Sequence, residues 1–165
     1  MKIKFNIDKI NFTKLIAAVI ICQLAGIIGS IFTVPSVSAW LPTLQKPSFF
    51  PPNWLFGPVW ILLYTLMGIS AYMVWEKGLK NKGAMSALTA FGAQLVLNAS
   101  WSILFFGIKS PLLGLVCIVV LWLLIVLTIL RSHKVSKAAA WLLVPYILWV
   151  SFAAILNFEI WRLNG

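Results

Sequence analysis

The sequence predicts an all-α membrane protein: a bundle of five transmembrane helices with an ordered, Pro- and Trp-rich loop between the first and second. Three observations predict it. Of the 165 residues, 62% are apolar and only 10% charged, against about 25% charged in a soluble domain. Asp, Glu, Lys and Arg are absent from 15–45, 47–75, 83–108, 110–130 and 138–158, and each stretch is at least as long as the roughly 20 residues that cross a hydrocarbon core about 30 Å thick. Six of the eight prolines fall between residues 34 and 58.

Inside lipid every backbone N–H and C=O must be bonded within the segment, so each span is expected to be helical. A barrel would need alternating strands of about 10 residues, and Leu121-Trp122-Leu123-Leu124-Ile125-Val126-Leu127 does not alternate. The whole chain, 1–165, reads as a single transmembrane domain with spans at about 12–33, 56–75, 84–106, 111–130 and 137–162. In the first span Ala25, Gly26 and Gly29 form a small-residue stripe where another backbone can approach. A basic start followed by an apolar run and Val37-Ser38-Ala39 resembles a secretory signal. The run Leu15–Val34 exceeds the roughly 7–15 residues of such an apolar core, so it is read as a retained helix.

Residues 34–58 contain Pro35, Pro42, Pro47, Pro51, Pro52 and Pro58. Proline fixes φ and lacks the backbone donor, so a continuous helix is not expected there. Trp40, Phe49, Phe50, Trp54 and Phe56 make the segment too apolar for an ordinary loop. It reads as a lid folded over the helix ends, with an aromatic belt at the membrane interface as the alternative. The second, third and fourth spans follow without a repeat or an inverted pair of broken helices, and Pro145 lies inside the fifth.

The net charge of +10 does not signal a nucleic-acid partner, because the cations form short clusters between spans and no continuous basic face. With five spans, Lys2, Lys4, Lys9, Lys14, Lys77, Lys80, Lys82, Arg131, Lys134 and Lys137 gather on one side, and Lys46, Lys109 and Arg162 on the other. In a bacterial-type plasma membrane that asymmetry sets the N-terminus in the cytoplasm and the C-terminus outside. Cys22 and Cys117 lie within spans at no metal or redox spacing and read as small buried hydrophobes.

No acidic residue, His, Lys or Arg lies deep in any span. Proton pumps, ion-coupled transporters and metal sites require such groups, and no catalytic dyad, triad or metal-ligand set is present. What remains is aromatic and neutral-polar. Trp60 and Tyr64 are spaced i, i+4; Gln94, Asn98 and Trp101 are i, i+4, i+7; Tyr146, Trp149 and Ala153 are i, i+3, i+7. Each set shares a helix face, and amides in lipid turn inward to find partners. Spacing alone leaves two readings open: a pocket for a flat, largely apolar ligand, or a core filled with aromatic side chains.

Three segments carry a resemblance. Lys46-Pro47-Ser48-Phe49-Phe50-Pro51-Pro52-Asn53-Trp54-Leu55-Phe56-Gly57-Pro58-Val59-Trp60, Leu97-Asn98-Ala99-Ser100-Trp101-Ser102 and Pro145-Tyr146-Ile147-Leu148-Trp149-Val150-Ser151-Phe152-Ala153 resemble, in order, signatures of the TspO/MBR family. These are the tryptophan-rich sensory proteins and the mitochondrial translocator protein, or peripheral benzodiazepine receptor. The resemblance spans about Ala25 to Asn164. It implies a five-helix bundle, a homodimer, and a pocket under the first loop that binds porphyrins such as protoporphyrin IX, haem-related tetrapyrroles, and isoquinoline or benzodiazepine ligands. Carried over by motif, the pocket positions are Trp60, Tyr64, Asn98, Trp101, Tyr146, Trp149 and Ala153, and the lid positions are Trp40, Pro51 and Trp54. Position 49 departs from the pattern, being Phe where many members have Trp. The end of the last span has Leu156, Phe158 and Arg162 where animal members carry an aliphatic–Tyr–basic cholesterol pattern, so cholesterol is not expected as the physiological ligand.

The expected function is a membrane receptor or sensor that binds a tetrapyrrole and needs no cofactor. The alternatives are light-dependent porphyrin degradation, in which Trp60 and Trp149 would take part, and a porphyrin or lipid carrier.

Overall fold

The computed structural model describes residues 10–165; Lys2, Lys4 and Lys9 of the basic N-terminal side, and the start of the signal-like pattern, lie outside the described residues. Five helical segments are long and apolar enough to cross a membrane: Phe12–Ala39, Asn53–Trp75, Lys82–Gly107, Pro111–Val135 and Lys137–Asn164. The helices themselves are α1 (Phe12–Ala39), α2 (Phe56–Trp75), α3 (Lys82–Ser102), α4 (Pro111–Val135), α5 (Lys137–Leu142) and α6 (Val144–Asn164).

Polar caps start four of them. The Asn11 side chain accepts from the Lys14 N–H at 3.1 Å, that of Asn81 from Gly83 at 2.9 Å and Ala84 at 3.1 Å, that of Ser110 from Leu113 at 3.3 Å, and that of Ser136 from Ala139 at 3.3 Å. Each occupies backbone donors that a helix N-terminus leaves open. Pro111 follows Ser110 at a position where its missing N–H removes no bond.

Three boundaries differ from the sequence reading. First, α1 continues through Pro35 to Ala39, whereas the expected end lay near Thr33. One proline deletes one helical bond, and the extra turn is anchored elsewhere: the buried Ser36 hydroxyl donates to the Phe106 carbonyl at 2.8 Å. The non-helical segment therefore begins at Trp40 and contains two short 3-10 turns, Leu41–Thr43 and Asn53–Leu55. Second, α4 runs to Val135 and not to Leu130. Arg131 stays in the helix by reaching across to donate to the Ser86 carbonyl at 3.1 Å, so its stem covers apolar surface while its head is bonded. Third, the last span is two helices. Pro145 cannot donate a helical bond, and the chain turns at Leu143 (φ −89°, ψ −8°) before α6 begins.

α3 also ends unexpectedly, in a π-helical turn over Ile103–Gly107 in which the Ile108 N–H reaches the Ile103 carbonyl at 2.8 Å. Such turns insert a residue into the helical register and recur at functional sites. Here the turn leaves the Phe106 carbonyl for Ser36 to occupy.

The two ends of the bundle pack differently. At the end away from the long loop, Val74, Ala84, Ala87 and Ala139 form a small-residue cluster, and the Ser70 hydroxyl donates to the Ala139 carbonyl at 2.8 Å. α1 and α2 touch there: a Cβ added to Gly68 would sit 2.5 Å from Val19 Cα, so glycine is required for this approach. The outer surface carries Ile20, Ile27, Ile31, Val34, Leu123, Leu130, Leu148 and Ile155, all exposed, as expected of helices solvated by acyl chains.

Candidate functional site

Towards the loop end the same helices diverge around a cavity of about 500 Å³, within the range of roughly 300–1,000 Å³ typical of small-molecule sites. Its walls come from α1, α2, the α3 end with its π-turn, and α6, and its roof from the loop residues Leu41, Phe50 and Asn53.

Five of the seven expected pocket residues, Trp60, Tyr64, Asn98, Trp101 and Trp149, line this cavity, and Ala153 makes a sixth. Trp60 stacks on Tyr64, with ring centroids 5.4 Å apart and planes 29° from parallel, and meets Tyr146 edge-on at 6.3 Å. Phe56 meets Trp149 edge-on at 5.9 Å, and Trp101 stacks on Phe105 at 5.1 Å. These offset and T-shaped pairs fix the ring planes that a flat ligand would meet.

The seventh, Tyr146, does not line the cavity. It is fully buried behind Asn98, inside a chain of hydrogen bonds. The Tyr64 hydroxyl donates to Asn98 Oδ1; Asn98 Nδ2 donates to the Tyr146 hydroxyl at 3.0 Å; the Tyr146 hydroxyl donates to Gln94 Oε1 at 2.7 Å. The chain links α2, α3 and α6 at the cavity floor. Gln94 Nε2, at its far end, is buried without a partner among the described residues.

Two indole N–H groups of the wall differ from each other. Trp101 Nε1 donates to Asn157 Oδ1 at 3.0 Å, and Asn157 Nδ2 donates to the Pro111 carbonyl at 2.8 Å. Trp101 is thereby pinned, and its N–H is spent inside the protein. Trp149 Nε1 is buried and has no acceptor among the described residues. A buried donor without a partner carries a desolvation penalty of about 1–3 kcal/mol.

The expected lid residues are not brought to the cavity. Trp40 lies edge-on against Phe105 at 5.6 Å and anchors the start of the loop. Pro51 is half-buried outside the lining, and Trp54 is 73% exposed. Pro51-Pro52 and the following 3-10 turn direct Phe50 and Asn53 inward and Trp54 outward, so the loop does cover the cavity but through residues other than those expected.

Gln23, Asn157 and Phe105 belong to the site and were not singled out in the sequence, and Phe50 and Phe56 were named there only as part of the apolar loop. The rule that selected Gln94 and Asn98, that an amide in lipid turns inward, applies equally to Gln23 and Asn157. Among the described residues no charged side chain lines the cavity. Lys46 is near its roof, donating to the Leu41 carbonyl at 3.3 Å and lying 5.8 Å from the Phe50 ring centroid. Among the described residues no three His, Cys, Asp or Glu side chains gather as a metal site.

The family model for the TspO/MBR family matches residues 18–162. The chain belongs to the TspO/MBR family. It is 48% identical over 155 residues to the tryptophan-rich protein TspO of Archaeoglobus fulgidus, covering 94% of this chain and 99% of that one. A protein of the same name from Chlorobaculum tepidum is 49% identical over 144 residues, covering 87% and 91%. The human translocator protein is 38% identical over 143 residues, covering 86% and 85%. With its five apolar helices, this TspO/MBR protein is an integral multi-pass membrane protein.

Proposed function

We propose that this TspO/MBR protein is a membrane receptor or sensor that binds a porphyrin, of the protoporphyrin IX or haem-related class, and accepts isoquinoline- or benzodiazepine-type ligands in the same aromatic cavity. The observation that carries the reading is the cavity itself, a space of about 500 Å³ walled by the rings of Trp60, Trp101 and Trp149. A flat macrocycle stacks on Trp60 and Trp149, while Lys46 at the roof suits peripheral carboxylates. The names of relatives, a translocator protein and a tryptophan-rich sensory protein, support a binding role without naming the ligand.

The reading extends to a homodimer in a bacterial-type plasma membrane. Lys14, Lys77, Lys80, Lys82, Arg131, Lys134 and Lys137 lie at helix ends away from the long loop, which supports a cytoplasmic N-terminus and an outer loop. A second reading, light-dependent porphyrin breakdown, is favoured by one feature: Trp60 and Trp149 both line the cavity, where excited porphyrin and oxygen would find an oxidisable partner.

One titration separates the two. Protoporphyrin IX added to purified protein in the dark is expected to quench tryptophan fluorescence to saturation. Under illumination, bleaching no faster than in protein-free micelles leaves the receptor reading and removes the degradation reading. Absence of saturable quenching in the dark removes both.

A further inference from the structure

The cavity is walled on three sides and roofed, but its fourth side is incomplete, and that side faces lipid. Ile27 and Val34 of α1 and Ile61 of α2 line the cavity while being 57%, 68% and 62% exposed. On membrane-spanning helices, a side chain that belongs to both surfaces marks an opening to acyl chains. Gly57, at the head of α2, also lines the cavity, and a Cβ there meets nothing within 4 Å.

The opening has defined edges. Below it, Gln23 Nε2 donates to the Ile61 carbonyl at 3.0 Å and to Thr65 Oγ1 at 3.1 Å, and beneath this brace α1 and α2 close on Val19 and Gly68. The brace places a polar side chain at membrane depth where both its acceptors sit on the opposite helix. Above, the loop is tied down. Leu41 is 3% exposed. Asn164, at the end of α6, clasps the backbone of Gln45 in both directions, accepting from its N–H and donating to its carbonyl at 2.9 Å each. The loop over the aqueous side is therefore fastened by hydrogen bonds and aromatic packing, with Asn53 the one exposed residue of its three in the lining, whereas three large exposed side chains of α1 and α2 line the side between them.

We infer that the cavity is loaded sideways from the bilayer, through a window between α1 and α2 whose lower edge is set by Gln23. The inference rests on the cavity being a ligand site, and it names the ligand's source: a flat, mostly apolar molecule already partitioned into the bilayer with any carboxylates at the interface, where the hydrophobic effect concentrates it. Such a ligand reaches the indoles without crossing water or moving the loop.

The test uses full-length protein in phospholipid vesicles, with Cys22→Ala and Cys117→Ala as background and Ala153→Cys as a single thiol in the cavity wall. A lipid-soluble pyrenyl maleimide is expected to label it faster than a charged, membrane-impermeant maleimide. Gly57→Phe, which fills the window, is expected to slow the lipid-soluble reagent about tenfold, equivalent to about 1.4 kcal/mol of added barrier. Asn164→Ala, which loosens the loop, is expected to leave the rate unchanged. Faster labelling by the charged reagent, or acceleration by Asn164→Ala with no effect of Gly57→Phe, overturns the window. Protoporphyrin IX added before labelling separates the two claims. If the window results hold but porphyrin gives no protection, the ligand assignment fails and the window stands; protection combined with the opposite reagent preference does the reverse. Should the cysteine-free background not fold, Gly57→Phe is compared with the native sequence by the rate at which vesicle-borne protoporphyrin IX quenches tryptophan. A slower rate supports the window and an equal rate overturns it.

Discussion

The two halves of this bundle use the same helices for opposite purposes. Away from the loop, Ala84, Ala87 and Ala139 and the glycine at 68 let backbones approach until nothing fits between them. Towards the loop, Trp60, Trp101 and Trp149 and the π-turn hold the helices apart, and amides tie them together across the gap. The difference shows how a chain with no intramembrane charge makes a site. Small residues supply a rigid base, and large flat ones, fixed by hydrogen bonds at their edges, supply a cavity that does not collapse.

The contrast breaks first at Gly68. Gly68→Leu drives a side chain into the Val19 backbone and is expected to lower stability by about 3 kcal/mol, the upper end for overpacking. Gly92→Leu, whose added Cβ meets nothing within 4 Å, is expected to change little. Thermal unfolding in detergent compares them; equal midpoints would remove the claim that the base is close-packed. Next in size is the cavity floor. Asn98→Leu strands the Tyr64 hydroxyl and removes the donor to Tyr146, at about 1–2 kcal/mol given what interhelical hydrogen bonds contribute in membranes. Tyr64→Phe, which removes a donor and leaves one acceptor open, is expected to lose less. If the order of the two is reversed, Asn98 is not the hub. The smallest effect belongs to the α1–α2 brace: Gln23→Leu is expected to lower stability by about 0.6 kcal/mol, near the average for an interhelical hydrogen bond in a bilayer. A loss as large as that of Gly68→Leu would mean that the helices are held at the brace and not at the base.

Much of this architecture is legible in the residues. Charge-free stretches longer than a bilayer is thick leave helices as the only choice, so the five spans and the proline-dense loop follow from composition. The start of the loop does not. Pro35 reads as a helix terminator, and only the Ser36–Phe106 bond, between residues 70 positions apart, shows why the helix continues. The π-turn is equally silent: its Phe105 and Phe106 pack against Trp40 and Trp101, partners that no local spacing reveals. Within the site, helical spacing correctly grouped Trp60 with Tyr64 and Asn98 with Trp101. It could not separate a residue that faces the cavity from one behind it, which is why Tyr146 and Asn98 looked equivalent. Trp40 and Trp54 looked alike for a similar reason: Trp40 is directed by where α1 ends and Trp54 by the turn after Pro51 and Pro52, and neither is periodic. Gln23 and Asn157 were legible, had the inward-turning rule for amides been applied to every amide in a span.

The central claim is that indoles from α2 and α6 form the binding surface. It is tested most directly by the dark affinity of protoporphyrin IX for the native protein and for the Trp60→Phe, Trp149→Phe double variant, measured by porphyrin absorbance in the same detergent. Losing two indole stacking partners is expected to weaken binding by about tenfold, about 1.4 kcal/mol. Equal affinities in two equally stable proteins would contradict it.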